Sequence, residues 1–230
     1  MPALTPTIII TGANGNLGQV VTNHLLNDRY QVIAITGPGG AGQLPPHPGL
    51  IAFEADLADE EKTTDLVASL VSEYPDIQAA ILLVGGFETG KLQETRDRML
   101  EDMIRLNFHS AFHIVRPMMY FFERKPEGGQ FILIGSRPGI NPSEGTHFFA
   151  YALSKSMVLK LAEFVNAEGK DKKIKASVIV PGTIDTPANR KAMPNADFSK
   201  WVPPLRIAEA IAFCLTKTGK MLNDHVMKIG

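Results

Sequence analysis

The sequence predicts an α/β fold, a single Rossmann-like, doubly wound parallel sheet of about seven strands with helices on both faces. Short β-branched runs alternate with longer helical stretches along the chain, which is typical of parallel strands joined by right-handed crossovers. Several strand segments are continuously apolar, as expected for strands that are covered on both faces. A glycine-rich loop directly follows the first strand and opens the first helix. We expect residues 1–230 to form one domain of this kind.

The strands are predicted where β-branched and other apolar residues run together, at residues 7–10, 31–35, 50–55, 79–84, 130–134, 175–180 and 225–229. Between them, helix-forming residues with helical periodicity predict helices at residues 17–27, 60–73, 95–123, 151–166 and 205–216. Two further stretches are predicted to be loops, at residues 37–49 and 186–204. The second of these loops could close over a site.

Composition and charge exclude several classes of function. Hydrophobic residues make up 44% of the chain and charged residues 20%, a balance typical of a soluble globular enzyme. The net charge of −1 argues against nucleic acid or an anionic membrane as the partner. Cys214 is the only cysteine, so it cannot form an internal disulfide, and it is expected to be a small buried side chain.

The sequence also carries no targeting or metal-binding signal. Residues 1–10 lack a basic region and a long apolar segment, so no signal peptide is predicted. No apolar run approaches the roughly 20 residues that a membrane-spanning helix needs. No Cys/His cluster has the spacing of metal ligands, so no metal is expected. Together with the single cysteine, these observations predict a cytoplasmic protein.

The loop at residues 11–18 reads Thr-Gly-Ala-Asn-Gly-Asn-Leu-Gly. Its glycines, at positions 12, 15 and 18, allow a tight turn, close approach of the backbone to a pyrophosphate, and close packing of helix on strand. The start of the following helix offers free N–H groups and the positive end of the helix dipole to phosphates. The position of the loop favours a dinucleotide site over a loop that is only structural.

The residue that meets the adenosine ribose normally ends the second strand, where this chain has Thr36. No Asp, Glu, Lys or Arg occurs between residues 30 and 53, so no carboxylate is found that would repel a 2′-phosphate and no cation that would bind one. The choice between NAD and NADP stays open, with a slight preference for tolerance of NADP. Asp56 could accept a hydrogen bond from the adenine amine, or it could cap the next helix.

A tyrosine and a lysine lie four residues apart on the predicted helix at 151–166: Tyr151 and Lys155. This spacing places both side chains on one face of the helix, one turn apart. A free phenol has a pKa of about 10 and is a poor acid–base catalyst near neutrality. A nearby ammonium favours the phenolate, so Lys155 is expected to lower the pKa of Tyr151. The alternative is an ordinary, partly exposed pair on a helix surface.

A series of motifs follows in a fixed order along the chain: TGANGNLG at 11–18, Asp56-Leu57, Gly85-Gly86, Asn107 in RLNFHSAF, Ser136 in ILIGSRPG, YALSK at 151–155 and PGTIDTP at 181–187. These motifs resemble those of the short-chain dehydrogenase/reductase family over essentially the whole chain. Two features depart from the usual pattern. The middle glycine of the loop is at position 15, and Leu83-Val84 stands where the family usually has Asn-Ala.

The resemblance implies an NAD(P)-dependent oxidoreductase that interconverts a small-molecule carbonyl and an alcohol. Tyr151 would be the general acid or base, and Lys155 would lower its pKa and bond the nicotinamide ribose. Ser136 would donate to the substrate oxygen, and Asn107 would hold a water that links Lys155 to solvent. Besides Tyr151 and Lys155, the implied cofactor contacts are Gly12, Asn14, Gly15, Asn16, Leu17, Gly18, Thr36, Asp56, Leu57, Gly85, Gly86, Pro181, Gly182, Ile184 and Thr186.

A narrower likeness lies in IDTPANRKAMPNADFSKW at 184–201 and in VGGF at 84–87, which resemble stretches of dihydropteridine reductases. Those enzymes generally lack the serine and asparagine found here at Ser136 and Asn107, and they carry an acidic residue in place of Thr36. We interpret residues 186–204 as a substrate lid over conventional carbonyl chemistry. A pteridine reductase and a nucleotide-sensing protein without turnover are the alternatives.

The resemblance to the short-chain dehydrogenase/reductase family further implies a homodimer or homotetramer built through the helices at 95–123 and 151–166.

Overall fold

Seven strands form one sheet, parallel throughout, in the order β3-β2-β1-β4-β5-β6-β7. The computed structural model describes residues 6–222 and 224–230, so part of the segment examined for a signal peptide, residues 1–5, lies outside the described residues. The strands are β1 (Thr7–Thr11), β2 (Gln31–Thr36), β3 (Leu50–Glu54), β4 (Ile77–Leu82), β5 (Gly129–Ile134), β6 (Ile174–Pro181) and β7 (Val226–Ile229). The predicted α/β fold is confirmed.

The helices connect successive strands. They are α1 (Asn16–Asn27), α2 (Glu60–Glu73), α3 (Asp97–Ile104), α4 (Ser110–Phe122), α5 (Arg137–Ile140), α6 (Phe149–Gly169), α7 (Pro187–Ala192), α8 (Pro204–Leu215) and α9 (Lys217–Lys220). Within the described residues, none of them is long and apolar enough to cross a membrane.

The two faces of the sheet build separate hydrophobic cores, because successive side chains of a strand point to opposite faces. In β1, Ile8 and Ile10 pack into a core that includes residues of α1 and α8. Ile9, between them, packs into the other core, with residues of α2, α4 and α6. All three isoleucines are almost completely buried. The continuously apolar strand pattern is therefore explained by helices on both sides.

The strand order reverses between β1 and β4. β1 pairs with β2 on one side and with β4 on the other, so the connections that leave β1 and β4 diverge at the carboxyl edge of the sheet. Open α/β sheets bind ligands in the crevice at such a switch point. The residues after β1, β2 and β4 are therefore the ones that the fold gathers around a cleft.

The predicted helix at 95–123 is helical almost throughout, but it is not a regular α-helix. α3 and α4 are joined by a π turn at Arg105–His109, which contains Asn107. The strand predicted at 79–84 is observed two residues earlier, at Ile77–Leu82. It ends there because Leu83 turns its N–H to the hydroxyl of Thr11 instead of continuing the ladder, at 3.2 Å.

The predicted loop at 186–204 also contains regular structure. Thr186 caps α7 through a bond from the Asn189 N–H to its side-chain oxygen, and Pro187 occupies the first helical turn. A 3₁₀ turn follows at Phe198–Lys200. The stretch is therefore partly helical. The other boundaries of the predicted strands and helices coincide with the observed ones or lie within three residues of them.

Candidate active site

The glycine loop after β1 forms the floor of the cleft. Gly12 has a φ of +65°, a left-handed conformation that favours glycine, and a Cβ there would lie 3.1 Å from the backbone nitrogen of Val84. A Cβ on Gly18 would overlap the Gly12 carbonyl oxygen. Gly15 is the N-cap of α1 and makes no side-chain cap bond, so the first N–H groups of this helix can meet an anion. These glycines fit a bound pyrophosphate.

Part of the predicted cofactor set lines one cleft of about 300 Å³ at the switch point. Its walls include Gly12, Asn14, Gly15, Thr36, Asp56, Leu57 and Gly85. The other predicted residues of the glycine loop, Asn16, Leu17 and Gly18, lie beside this cleft in the first turn of α1. Pro181, Gly182, Ile184 and Thr186 lie elsewhere, at the end of β6 and in the segment that leads to α7.

Thr36 and Asp56 line the cleft but already have partners of their own. The Thr36 hydroxyl is buried and donates to the Phe53 carbonyl at 3.4 Å. An Asp56 oxygen accepts from the Ala58 N–H at 3.0 Å, and the other lies 3.8 Å from the Arg105 guanidinium. The N-cap of α2 is Asp59, so the possibility that Asp56 caps this helix is wrong.

Asn107 connects three segments from inside the π turn at Arg105–His109. Its Oδ1 accepts from the Gly86 N–H at 3.0 Å, and its Nδ2 donates to the Gly86 carbonyl at 3.2 Å. Nδ2 also donates to the Ser154 hydroxyl at 3.0 Å, and that hydroxyl donates to the Tyr151 carbonyl. Asn107 is buried, so these bonds fix the loop after β4 against α6. π turns occur frequently at functional sites.

Lys155 carries its amino group into the interior beside Asn107. Its Nζ donates to the Ile134 carbonyl at 2.9 Å, and burial lowers the pKa of Lys155 to about 8. A Cβ added at Gly85 would lie 2.7 Å from Asn107 Oδ1 and 3.2 Å from Lys155 Nζ. Because Gly85 has no side chain, the Asn107 amide and the Lys155 amino group can lie close together beside it.

Ser136 begins α5, which packs against the helix that carries Tyr151: a Cβ on Gly139 of α5 would lie 3.0 Å from the backbone of Lys155 on α6. Ser136 is buried at the N-cap of α5, where its Oγ accepts from the Gly139 N–H at 3.2 Å. Burial raises the pKa of Tyr151, and the Ser136 hydroxyl opposes this by favouring the phenolate. The expected lowering of the Tyr151 pKa by Lys155 stays a prediction. Desolvation of the phenol is the larger effect.

An aromatic ring to which the sequence analysis gave no role of its own, Phe87 of the VGGF stretch, covers one side of Tyr151. The ring of Phe87 lies edge-on to Tyr151, with 5.0 Å between the ring centroids, and 5.1 Å from the ring of Phe148. Phe87 nevertheless keeps 58% of its surface exposed. A large apolar side chain beside a candidate general acid could contact a substrate. Its position directly after Gly86, a predicted cofactor contact, could have indicated that Phe87 lies near the site.

The segment predicted to be a lid is tied together at both ends. The Val202 N–H donates to the Thr183 carbonyl at 2.8 Å, and the Asp185 N–H donates to the Val202 carbonyl at 2.9 Å. Arg190 bonds both carboxylate oxygens of Asp185, at 2.6 and 2.8 Å. Its guanidinium also lies 4.7 Å from the centre of the Phe198 ring. These contacts give the lid an internal scaffold.

The order of these features along the chain matches one known family model. The model for short chain dehydrogenases matches residues 6–197, which is most of the chain. The chain belongs to the short-chain dehydrogenase/reductase family. This short-chain dehydrogenase/reductase is therefore an oxidoreductase that depends on NAD or NADP.

Similar proteins include reductases of different substrates. A dihydropteridine reductase of Dictyostelium discoideum is 24% identical over 215 residues, covering 90% of this chain and 87% of the relative. A 3-oxoacyl-(acyl-carrier-protein) reductase of Buchnera aphidicola is 23% identical over 234 residues, covering 97% and 95%. The solved structure of ElxO with NADP bound superposes with a TM-score of 0.89 at 20% identity, covering 98% of this chain and 97% of that one. The last likeness supports the fold.

A charged residue next to the cleft is not identified by the sequence analysis. Glu54 ends β3, one residue beyond the interval 30–53, and pairs in register with Thr36. This pairing depends on the register of β2 and β3, which the order of residues along the chain does not give. In the described ranges, 6–222 and 224–230, no group of three or more His, Cys, Asp or Glu side chains is arranged to hold a metal.

Proposed function

We propose that this short-chain dehydrogenase/reductase interconverts a small or medium carbonyl and its alcohol, with Tyr151 as the general acid of reduction and the general base of oxidation. The observation that carries the proposal is the convergence of Ser136 with the helix that carries Tyr151 and Lys155. Ser136 Oγ accepts from the Gly139 N–H, a Cβ on Gly139 would lie 3.0 Å from the backbone of Lys155, and Tyr151 lies one helical turn before Lys155. Two hydroxyls that lie on one side of a site can both reach one substrate oxygen. That oxygen gains negative charge during reduction, which such donors stabilise.

The nucleotide site is proposed at the glycine loop and the cleft of the switch point. A larger side chain at Gly18 would overlap the Gly12 carbonyl, and Gly12 has a left-handed backbone and lies close to the backbone of Val84, so this tight loop lets a pyrophosphate approach closely. When bound, NAD or NADP supplies or accepts the hydride. The turn after β6, with Pro181, Gly182, Ile184 and Thr186, is proposed to contact the nicotinamide end.

Lys155 and Asn107 are proposed to support the proton transfer. A lysine with a pKa of about 8 can exchange a proton near neutral pH, unlike an ordinary lysine. Asn107 holds Gly86 through both of its amide atoms and so fixes the loop beside Lys155. We propose that the proton route from Lys155 to solvent passes Asn107 through a bound water.

A direct test is to titrate the protein with NADH and NADPH by fluorescence and then to screen carbonyl compounds for loss of the reduced-nicotinamide absorbance. We expect binding of at least one nucleotide and oxidation of it by some ketones or aldehydes. Nucleotide binding without turnover of any carbonyl or pterin would contradict the proposal. That outcome would favour the alternative of a nucleotide-sensing protein.

Reduction of a quinonoid dihydropterin is the second candidate function. The exposed ring of Phe87 next to Tyr151 favours a planar conjugated substrate, because flat rings stack well on aromatic side chains. The likeness of the 184–201 segment to dihydropteridine reductases supports the same candidate. Replacing Ser136 with Ala separates the two: ketone reduction is expected to depend on this hydroxyl, whereas pterin reduction that survives its loss would favour the pteridine reading.

We further propose a homodimer or homotetramer, in which α4 and α6 pack against a neighbouring subunit. Between these helices lies a groove of about 570 Å³. Tyr120 and Phe164, which line it, are 59% and 61% exposed in the single chain. Apolar patches of this kind mark interaction surfaces.

We also propose that residues 1–230 act as one domain in the cytoplasm, with residues 186–204 as the substrate lid.

A further inference from the structure

A carboxylate ends the strand next to the one that ends with Thr36, a residue of the nucleotide cleft. Glu54 is the last residue of β3 and pairs in register with Thr36 on β2. Its two carboxylate oxygens accept hydrogen bonds from the N–H groups of Gly39 and Ala41, both at 2.9 Å. Glu54 thus holds the loop that leaves β2.

The loop held by Glu54 also closes against the glycine loop. A Cβ on Gly40 would lie 2.6 Å from Asn14 Nδ2, so this residue packs directly on Asn14. The same Nδ2 donates to Gln43 Oε1 at 3.3 Å. The first residues of the same loop, Gly37 and Pro38, line the cleft together with Asn14 and Thr36, so Glu54 holds a loop that forms part of the cleft wall. In dinucleotide folds, the adenosine ribose is bound at this part of the cleft.

The charge of Glu54 is not balanced by a neighbouring cation. In the described part of the chain no Lys or Arg forms an ion pair with it, and Arg105, which lines the cleft, lies beside Asp56 instead. The bonds from the Gly39 and Ala41 N–H groups lower the pKa of Glu54. Its carboxylate is therefore ionised at neutral pH.

We propose that Glu54 determines cofactor specificity by selecting against the 2′-phosphate of NADP. A 2′-phosphate beside Thr36 meets a negative carboxylate, and the two backbone N–H donors that would bind it are already occupied by that carboxylate. The 2′-hydroxyl of NAD is neutral and can donate a hydrogen bond, so it meets neither penalty. In other dinucleotide-binding chains, a carboxylate at the end of β2 excludes the 2′-phosphate. Here Glu54, at the end of β3, would have this role. The inference rests on the nucleotide site proposed above.

The test compares the dissociation constants for NADH and NADPH, measured by fluorescence, in the wild type and in Glu54→Gln. The substitution keeps the shape of the side chain and removes its charge. We expect the ratio of the NADPH constant to the NADH constant to fall by about tenfold or more in Glu54→Gln. High salt is expected to lower this ratio in the wild type and to have less effect in the variant.

Two further variants serve as controls. Glu127→Gln removes an exposed carboxylate just before β5, at the opposite edge of the sheet, and is expected to leave the ratio unchanged. Glu54→Asp keeps the charge and is expected to keep the ratio near that of the wild type. A general loss of loop order in Glu54→Gln weakens both nucleotides, whereas the carboxylate and the two N–H groups it occupies act on the 2′-phosphate alone, so the ratio reports on the carboxylate.

An unchanged or increased ratio in Glu54→Gln would overturn the inference while leaving the oxidoreductase function intact. A wild type that binds neither nucleotide would instead contradict the proposed function, and the inference with it. A fall of the ratio in Glu127→Gln equal to that in Glu54→Gln would also overturn the inference, because it would show a general effect of net charge.

Discussion

Lys155 holds an amino group in the interior with a neutral hydrogen-bond partner, the Ile134 carbonyl. Burial lowers its pKa to about 8, from about 10.4 in an unfolded chain. Below about pH 8 both states are protonated, so the whole cost of burying the ammonium is present. Between about pH 8 and pH 10.4 the unfolded state binds more protons, so this cost disappears and stability rises with pH.

Replacing Lys155 with Met removes the titrating group and keeps an unbranched side chain. The free energy of unfolding of the wild type, minus that of Lys155→Met, is expected to increase by about 3 kcal/mol between about pH 7 and about pH 10.5. Urea denaturation at several pH values measures this difference. Lys172→Met, at an exposed position, is the control. A difference for Lys155→Met that did not change with pH would contradict a buried ammonium.

The sequence identified most of the side chains that meet at the site, but not their electrostatics. The spacing of Tyr151 and Lys155 on a helix was sufficient to place them together, since helix geometry is local. The pKa of Tyr151 depends on what covers the phenol, and Phe87 comes from a different segment of the chain. Glu54 was not predicted for a related reason. It lies beside Thr36 because of the register between β2 and β3, and the order of residues along the chain does not give this register.

The glycine loop is the element on which nucleotide binding depends. A Cβ on Gly18 would overlap the Gly12 carbonyl, so Gly18→Ala must shift the loop or α1. We expect a loss of stability of about 1–3 kcal/mol, typical of overpacking, and at least about tenfold weaker nucleotide binding. Thermal unfolding and fluorescence titration measure the two effects.

Gly42 offers the matched control for this prediction. A Cβ there meets no atom within 4 Å, so Gly42→Ala is expected to leave both stability and binding nearly unchanged. If Gly18→Ala behaved like Gly42→Ala, close packing at the glycine loop would not be a requirement of the site.

Regular elements were predicted well where the pattern is local and poorly where distant contacts decide. α2 begins and ends at the predicted residues, because Asp59 and the acidic residues after it form a strong helix start. The π turn at Arg105–His109 could not be predicted, since the bonds that fix Asn107 there come from Gly86 and Ser154. α7 could have been predicted, because Thr186 followed by a proline is a helix start.

The fold of the whole molecule follows from the alternation of strand and helix patterns. Several strand segments are apolar on both faces, and the sheet indeed separates two cores. Right-handed crossovers and the reversal of strand order after β1 then bring the predicted motifs to one edge. The surfaces that contact other molecules cannot be predicted in this way. The apolar pattern of the strands and helices identifies the cores, and an exposed apolar residue does not change that pattern.

Assembly through α4 and α6 is tested at the groove between them. Phe164→Glu places a charge on an exposed apolar ring of that groove, and burying this charge against a second subunit would be costly. We expect the sedimentation coefficient to fall to that of a monomer. Phe213→Glu, an exposed ring on α8 at the other face of the sheet, is expected to leave the assembly intact. Dissociation by Phe213→Glu alone would place the interface on α8.

Catalysis by the Tyr151 phenol is tested most directly by Tyr151→Phe, which removes one oxygen atom and keeps the ring against Phe87. The dissociation constant of the nucleotide is to be measured by fluorescence, and turnover with the best carbonyl substrate by the loss of reduced-nicotinamide absorbance. We expect nearly unchanged nucleotide binding and a turnover number lowered by at least about 10²-fold, the typical contribution of a general acid. Turnover equal to that of the wild type would contradict the role of Tyr151.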